Sequence, residues 1–396
     1  MLAPVLALCI SSFANADNWV ADFEAAAEVR YFNIEADDPQ QENYSLSGVL
    51  EGEITADWLN GDLRLVVKPF VRLDDPDSER THGDLREASL MYLSGNWELL
   101  AGISKTFWGA LESAHLVDII NQTDLVENTD GEDKLGQPMI RVTRYLPFGA
   151  IEAYVMSGFR ERTFPGEEGR LRAEIPVDTD NAEFESDAEN GRIEFATRFS
   201  GSLGGADFGI SYFNGTNRDP RLDLRPVFGA GGVPVGAELI PVYEEIQQTS
   251  VDGIWALGGW LIKAEGYYRE NRLEEYVAAG AGAEYTFVGA FGNADLGFLA
   301  EYLYDGRDTE FTLLQRDLFG GGRLVLNDLA GSELLFGVIQ DLDNSSQLAL
   351  IEATRRLGEN AQIGFEARWF RNFDENGPVG KIQNDDYTQL ELRYFF

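Results

Sequence analysis

Phe23-Glu-Ala-Ala-Ala-Glu-Val-Arg-Tyr31 places Phe23, Ala25, Ala27, Val29 and Tyr31 on one side of an extended chain and Glu24, Ala26, Glu28 and Arg30 on the other. A period of two marks a β-strand with one apolar and one polar face. The alternation returns in Leu50, Gly52, Ile54, Ala56 and Trp58 against Glu51, Glu53, Thr55 and Asp57. It returns again in Leu63, Leu65, Val67 and Val71 against Arg64, Lys68 and Arg72, and late in the chain in Ile363, Phe365, Ala367 and Trp369 against Gln362, Glu366 and Arg368. Helical spacing is nearly absent from these stretches.

Short breaks carrying Gly or Asn separate the strands: Leu59-Asn-Gly-Asp62, Ser94-Gly-Asn96, Pro147-Phe-Gly149, Gly201–Gly205, Gly258-Gly259 and Leu357–Asn360. Between them lie long polar connections at 35–44, 74–84, 106–137, 161–190, 215–243, 306–319 and 374–385. Tight turns alternating with long loops are expected of a barrel whose one rim faces the periplasm and whose other rim faces outward. A count by alternation alone is odd. Reading Gly321–Asp328 and the break Leu329–Ser332 as a further crossing brings it to about eighteen antiparallel strands with both ends inside. The expected fold is therefore all-β, a transmembrane antiparallel barrel over 17–396 as a single domain.

Composition excludes other classes. Thirty-one Lys+Arg against 68 Asp+Glu give a net charge of −37, the wrong sign for nucleic acid or for lying on anionic lipid. Mean hydropathy is −0.23, and the richest apolar run, Ile254–Ile262, stops at Lys263. A spanning helix needs about 18 apolar residues, so a helical membrane protein is excluded, whereas a barrel is not. At the N-terminus Val5–Ile10 is apolar and Ala14-Asn-Ala16 precedes Asp17, which predicts an export leader over 1–16 cleaved near Ala16, although its basic region is missing. Cys9 falls inside that leader, so the mature chain has no thiol and no Cys-ligated metal. At the other end Leu390, Leu392, Tyr394 and Phe396 alternate with Gln389, Glu391, Arg393 and Phe395.

The apolar face of each strand is expected to meet lipid and the other face the lumen. Trp58, Tyr92, Trp97, Tyr212, Trp255, Trp260, Tyr302, Tyr304, Trp369 and Tyr394 then suit interfacial girdles, since so wide a barrel is expected to have no central apolar core. Arg64, Lys68, Arg72, Arg141, Arg144, Arg198, Arg368 and Arg393 are candidate pore-lining cations. The acid collects in loops; 161–190 alone holds ten carboxylates against three arginines. An acidic mouth would gather cations and the basic rungs would offer anions steps, unless the acid serves solubility alone. Loop 106–137 has a partly helical pattern, with Leu111, Leu116, Ile119 and Ile120 among polar residues. A semi-apolar loop of this length must bury its apolar side, either in the lumen as a constriction carrying Trp108, Glu112, His115, Asp118 and Asp124, or against other loops. Arg218, Arg221 and Arg225 of loop 215–243 either reach the channel or pair with neighbouring acids.

The chain resembles large Gram-negative outer-membrane porin-like barrels, in particular the alginate-export and substrate-specific porin families. The resemblance is carried by the C-terminal strand ending on Phe396, by Leu100-Ala-Gly-Ile-Ser-Lys-Thr-Phe-Trp-Gly109 and by Val117-Asp-Ile-Ile-Asn-Gln-Thr-Asp-Leu125. It covers the whole length in architecture and about 25 residues in motif. It implies transport across the outer membrane, with the barrel assembly machinery engaging Phe396. The acidic loops disfavour phosphate-selective porins, which resemble chains with Lys-rich loops.

Catalysis finds little support. His82 and His115 are the two histidines, without paired-His metal spacing, and no nucleophile elbow or phosphate-cradling loop occurs. Asp37-Asp38 and Asp74-Asp75 read as solvated loop charge, and Asn128–Asp133 is a weak candidate for Ca2+. No cofactor and no metal are expected. The expected function is a passive diffusion channel for small solutes, narrowed by 106–137. The alternative is a conduit for hydrophobic or polymeric molecules working with periplasmic partners; a surface enzyme or adhesin is the third reading. Small outward residues Ala279, Ala281 and Ala283 suit a homo-oligomer contact or a smooth lipid face.

Overall fold

A computed structural model describes residues 16–36, 38–229, 231–307, 315–373 and 380–396, apart from the side chain of Lys381. The leader with Cys9, Asp37 of the first acidic pair and parts of loops 306–319 and 374–385 lie outside the described residues. Seven strands follow one another as antiparallel neighbours: β1 (Asn18–Phe32), β2 (Tyr44–Trp58), β3 (Leu63–Asp75), β4 (His82–Ser94), β5 (Trp97–Ser104), β6 (Gln137–Leu146) and β7 (Gly149–Met156). After β8 (Glu183–Phe184) come β9 (Glu194–Leu203), β10 (Ala206–Thr216), β11 (Arg221–Phe228) and β12 (Pro234–Tyr243). The ring continues through β13 (Glu245–Leu257), β14 (Trp260–Glu270), β15 (Glu275–Phe291), β16 (Ala294–Asp305) and β17 (Arg316–Val325). It ends with β18 (Glu333–Asp341), β19 (Gln347–Arg356), β20 (Ala361–Arg371) and β21 (Tyr387–Phe395).

Eighteen of these strands form one sheet, and β21 pairs antiparallel with β1 from Glu24↔Phe395 to Phe32↔Tyr387, so the sheet closes. Closure leaves no unpaired edge. The crossing expected at 321–332 is present as β17, the turn 326–332 and β18. Both chain ends sit on the short-turn rim: Asp17 N–H donates to Asp57 O beside the Leu59–Gly61 turn, and Phe395 N–H donates to Asn360 O. That turn reverses the chain in the four residues 59–62 because Leu59 (φ 57°), Asn60 (φ 58°) and Gly61 (φ 92°) adopt the left-handed region. On the opposite rim, β8, β11 and β12 form a separate small sheet, so the segment read as loop 215–243 is largely a hairpin. Among the described residues the helical pieces are three short 3-10 turns, and none lies in 106–137. The partly helical pattern expected there is absent.

Burial inverts the order of a soluble protein. Leu390, Leu392 and Tyr394 are 50%, 51% and 53% exposed, whereas Glu28, Arg30 and Glu301 are 4%, 6% and 2% exposed. An outer surface bearing Val29, Leu46, Leu50, Leu99, Ile140 and Val251 is a surface built for hydrocarbon. The predicted girdle residues Tyr92, Trp97, Trp255, Trp260, Tyr302 and Tyr304 are likewise exposed.

The seam between the chain ends is fastened by Phe396, whose backbone exchanges hydrogen bonds of 2.9 and 3.0 Å with Phe23 and whose ring stacks on that of Phe23 at 6.1 Å. Such a ring pair contributes about 1 kcal/mol beyond its area. Replacing both rings (Phe23→Ala with Phe396→Ala) is expected to lower the temperature at which the compact, fast-migrating band on a detergent gel converts to the unfolded one, while substitution of the fully exposed Leu329 leaves it unchanged.

Candidate functional site

The interior is organised by residues 105–136, the long link between β5 and β6. The segment is tethered at its base by Asn121, whose side-chain amide donates to Ser104 O and Leu135 O at 3.0 and 2.9 Å. Two lumen carboxylates then capture its backbone. Glu265 of β14 accepts from Ala110 N–H (2.6 Å), Leu111 N–H and Leu116 N–H (2.5 Å). Glu301 of β16 accepts from Glu112 N–H and Ser113 N–H at 2.8–3.1 Å and from Ser113 Oγ. Such charge-assisted bonds replace the water that an irregular segment would otherwise need. Gly109 permits the approach, since a Cβ there would meet Glu265 Oε2 at 3.3 Å. Gly280 serves the same end, because a Cβ would stand 2.3 Å from Leu111 Cδ1.

The apolar side of the segment is buried. Trp108, Val117, Ile119 and Ile120 pack with Leu100, Met139, Tyr154, Met156, Phe213 and Ile246 from the inner faces of β5–β7, β10 and β13. An apolar core therefore does exist inside the barrel, contrary to the sequence expectation; a loop brings it there. Trp108 meets Tyr154 edge-on at 5.8 Å, and the Arg198 guanidinium lies 5.3 Å from its ring.

The far end of the segment is held by charge. Glu127 sits between Arg72 (2.7 Å) and His82 (2.7 Å), and Arg72 also reaches Glu28 at 3.1 Å. Arg80 bridges Glu28 and Asp74 at 2.8 Å, and Arg86 binds Asp124. His82, Asp124 and Glu127 offer ligand atoms within 4.8 Å of one another. The three guanidiniums already neutralise them, so the cluster does not favour a metal cation. The Asn128–Asp133 stretch is similarly engaged, with Asp130 on Arg368 at 2.9 Å and Glu132 on His115.

Above the segment opens a vestibule of about 920 Å³. Leu111–His115 lie against it, as do Arg162, Asp219 and Arg307 on one wall and Phe319, Leu335 and Leu350 on another.

No family model and no curated protein matches the sequence. Solved structures do match in shape. OccK5 of Pseudomonas aeruginosa superposes with a TM-score of 0.55 at 11% identity, over 96% of this chain and 98% of that one. OccK3 of the same organism gives 0.55 at 8% identity over 96% of each chain, and its OccK8 gives 0.54 at 10% over 96% and 98%. The fold is that of a porin-like outer-membrane barrel.

Within this porin-like barrel the predicted cations face inward, with one exception. Arg64 pairs with Asp57 at 2.7 Å, Lys68 lies between Glu53 and Glu87, and Arg141 binds Glu98 at 2.7 Å. Arg198 makes a two-pronged bond to Asp252 at 2.7 and 2.8 Å. Arg368 is shared by Asp130, Glu352 and Glu366, and Arg393 by Glu24 and Glu391. Arg144 does not line the pore: three residues from Arg141, it has the opposite parity, and it stacks over the outward Trp97 at 4.8 Å near the short-turn rim. The basic rungs expected to offer anions steps are thus neutralised by carboxylates. Glu112 is bound by Arg323 at 2.5 Å and by Lys263 at 3.6 Å; Asp118 is bound by Lys134 at 3.3 Å. Of loop 215–243, Arg218 reaches inward to Glu194 (2.7 Å) and the carbonyl of Ile120 (3.0 Å), whereas Arg221 and Arg225 pair with acids on the outer hairpin.

Sequence reading missed Glu301, Arg80, Arg86 and Glu127. The signal for Glu301 was a lone carboxylate in Phe298-Leu-Ala-Glu-Tyr-Leu-Tyr304, a strand apolar on both faces. Arg80, Arg86 and Glu127 could not be joined by spacing, because their contacts bridge distant parts of the chain.

Several titrating groups bear on the segment with opposite signs, Glu127 one way and His115 and Asp133 the other. Asp133 is pushed up to about 7 by burial and by the charges of Glu127 and Asp130, so its contribution is lost as pH rises. Burial alone would raise Glu127, but the His82 hydrogen bond and the charges of Arg72 and Arg80 hold it at about 2. Its depressed value adds stability above the usual carboxylate range that is lost only as pH falls through about 2. Burial lowers His115, but Glu132 outweighs it and the net shift is upward. That contribution is complete below about 6.5 and is lost as pH rises through the raised value. Hydrogen exchange of amides 113–118, corrected for intrinsic rate, is therefore expected to accelerate as pH rises from the acid to the alkaline side, and His115→Ala is expected to remove the part of that rise above about 6.5. Separately, Glu301→Ala removes the acceptor of buried donors, a loss on the order of 3 kcal/mol. It is expected to expose 110–116 to protease while the detergent-gel mobility of the barrel stays native.

Proposed function

We propose that the protein is a passive channel of the Gram-negative outer membrane for small solutes, exported by way of its leader, with residues 105–136 narrowing the lumen. The observation that carries this reading is a closed eighteen-stranded cylinder, apolar outside and charged within. A polar interior gives solutes a wetted path, and an irregular segment anchored on Glu265 and Glu301 subtracts from its cross-section. The porin-like shape shared with OccK5 and OccK3 supports the same reading. Nothing in it requires catalysis. Phe396 at the seam is the handle for assembly.

Selectivity follows from the pairing. The strand cations predicted to line the pore have carboxylate partners, and 68 acids against 31 bases leave the unpaired charge negative. The channel is accordingly cation-preferring. In planar bilayers under a KCl gradient the reversal potential is expected to report cation preference, and removing 108–120 is expected to raise the single-channel conductance by about twofold or more. Absence of conductance at every voltage discards the channel reading, and anion preference discards the selectivity.

A further inference from the structure

The vestibule has one wall unlike the rest of the lumen. Nearer the short-turn rim the inward positions of β17–β20 carry Arg323, Glu352 and Arg368, but toward the outer end they carry Phe319, Ile339, Leu348, Leu350 and Phe370, an apolar face where a wetted pore wall would carry polar side chains. Phe319 packs flat on the wall because Gly337 lies beneath it, where a Cβ would stand 2.3 Å from the ring. At the outer end of this wall, two carboxylates face each other across the strand pair, Asp317 of β17 opposite Asp341 of β18. Both are buried, 1% and 7% exposed, and both line the vestibule.

Their partners are unequal. Asp341 is oriented by the turn that follows it, accepting from Asp343 N–H, Asn344 N–H and the Asn344 side chain at 2.7–2.9 Å. Asp317 Oδ2 has no hydrogen-bond partner. Among the described residues no arginine, lysine or histidine pairs with either carboxylate; the neighbouring Arg316 binds Asp343 instead. Like charges set directly opposite on a sheet repel, and a buried unpaired carboxylate is costly. Lumen carboxylates elsewhere, such as Glu28, Glu98, Glu194 and Glu366, have an arginine. Among the described residues this pair has no cation, and it stands above aliphatic surface.

We propose that the wall is a binding site for a small amphipathic cation, an ammonium with an aromatic or short aliphatic body. The ammonium lies between Asp317 and Asp341, and the body lies one layer inward, on Ile339 and Leu348. A carboxylate pair and an adjoining apolar surface are the features that recognise such an ion. As a stop along a flux path the site rests on the channel reading; as a binding site it stands without it.

The test uses the full-length mature protein in maltoside detergent, titrated by calorimetry with benzyltrimethylammonium, tetramethylammonium and benzoate. Benzyltrimethylammonium is expected to bind more tightly than tetramethylammonium, and benzoate not at all. Asp317→Asn is expected to weaken benzyltrimethylammonium by about tenfold. Leu348→Asn is expected to erase its advantage over tetramethylammonium, with detergent-gel mobility confirming both variants folded. Equal binding to wild type and Asp317→Asn, or benzoate binding as well as the cation, overturns the site. Binding without bilayer conductance refutes the channel and leaves the site standing; conductance without binding refutes the site alone.

Discussion

Hydrocarbon offers no partner to a backbone N–H or C=O, and every other feature of this chain follows from that. A sheet immersed in lipid must bring its last strand back to its first. The pairing of β21 with β1 does so through nine residues on each strand. Once the ring is closed, side chains have two destinations, and the alternation from Phe23 to Tyr31 is the one-dimensional trace of that choice. Charged residues end up more buried than leucines because their burial is inside a polar shaft.

The shaft does not stay open by default. Arginines crossing from wall to wall or from wall to inner segment bind carboxylates throughout, and Glu265 and Glu301 reverse the usual arrangement by having carboxylates hold backbone amides. Positive side chains organise one flank of the segment and negative side chains the other. The acid surplus is what remains after these pairings.

The barrel was legible in the sequence because period-two patterning is local. Strand positions, short turns, the crossing at 321–332 and the inward direction of Arg72, Arg141, Arg198 and Arg368 all follow from parity. Parity also excluded Arg144 beside Arg141, had it been applied strictly across the intervening residues. The interior was less legible. Nothing in 106–137 states that Leu111 will nest over Gly280 or that Ile120's carbonyl will meet Arg218, since these contacts join segments 98 or more residues apart. Strands such as β16 and β18, apolar on both faces, were the sign that the lumen is dry in places. Their inner residues mark where the inner segment and the vestibule wall lie.

The seam has a consequence in time. Phe23 and Phe396 are nearly the whole chain apart, so the hydrogen bonds that abolish the sheet's free edges are the most non-local in the molecule. Until the final phenylalanine arrives, every intermediate presents two raw margins to whatever strand lies nearby. An open ribbon therefore carries the hazard of raw margins for as long as it stays open, and the aromatic clasp at its two tips is the stitch that removes it.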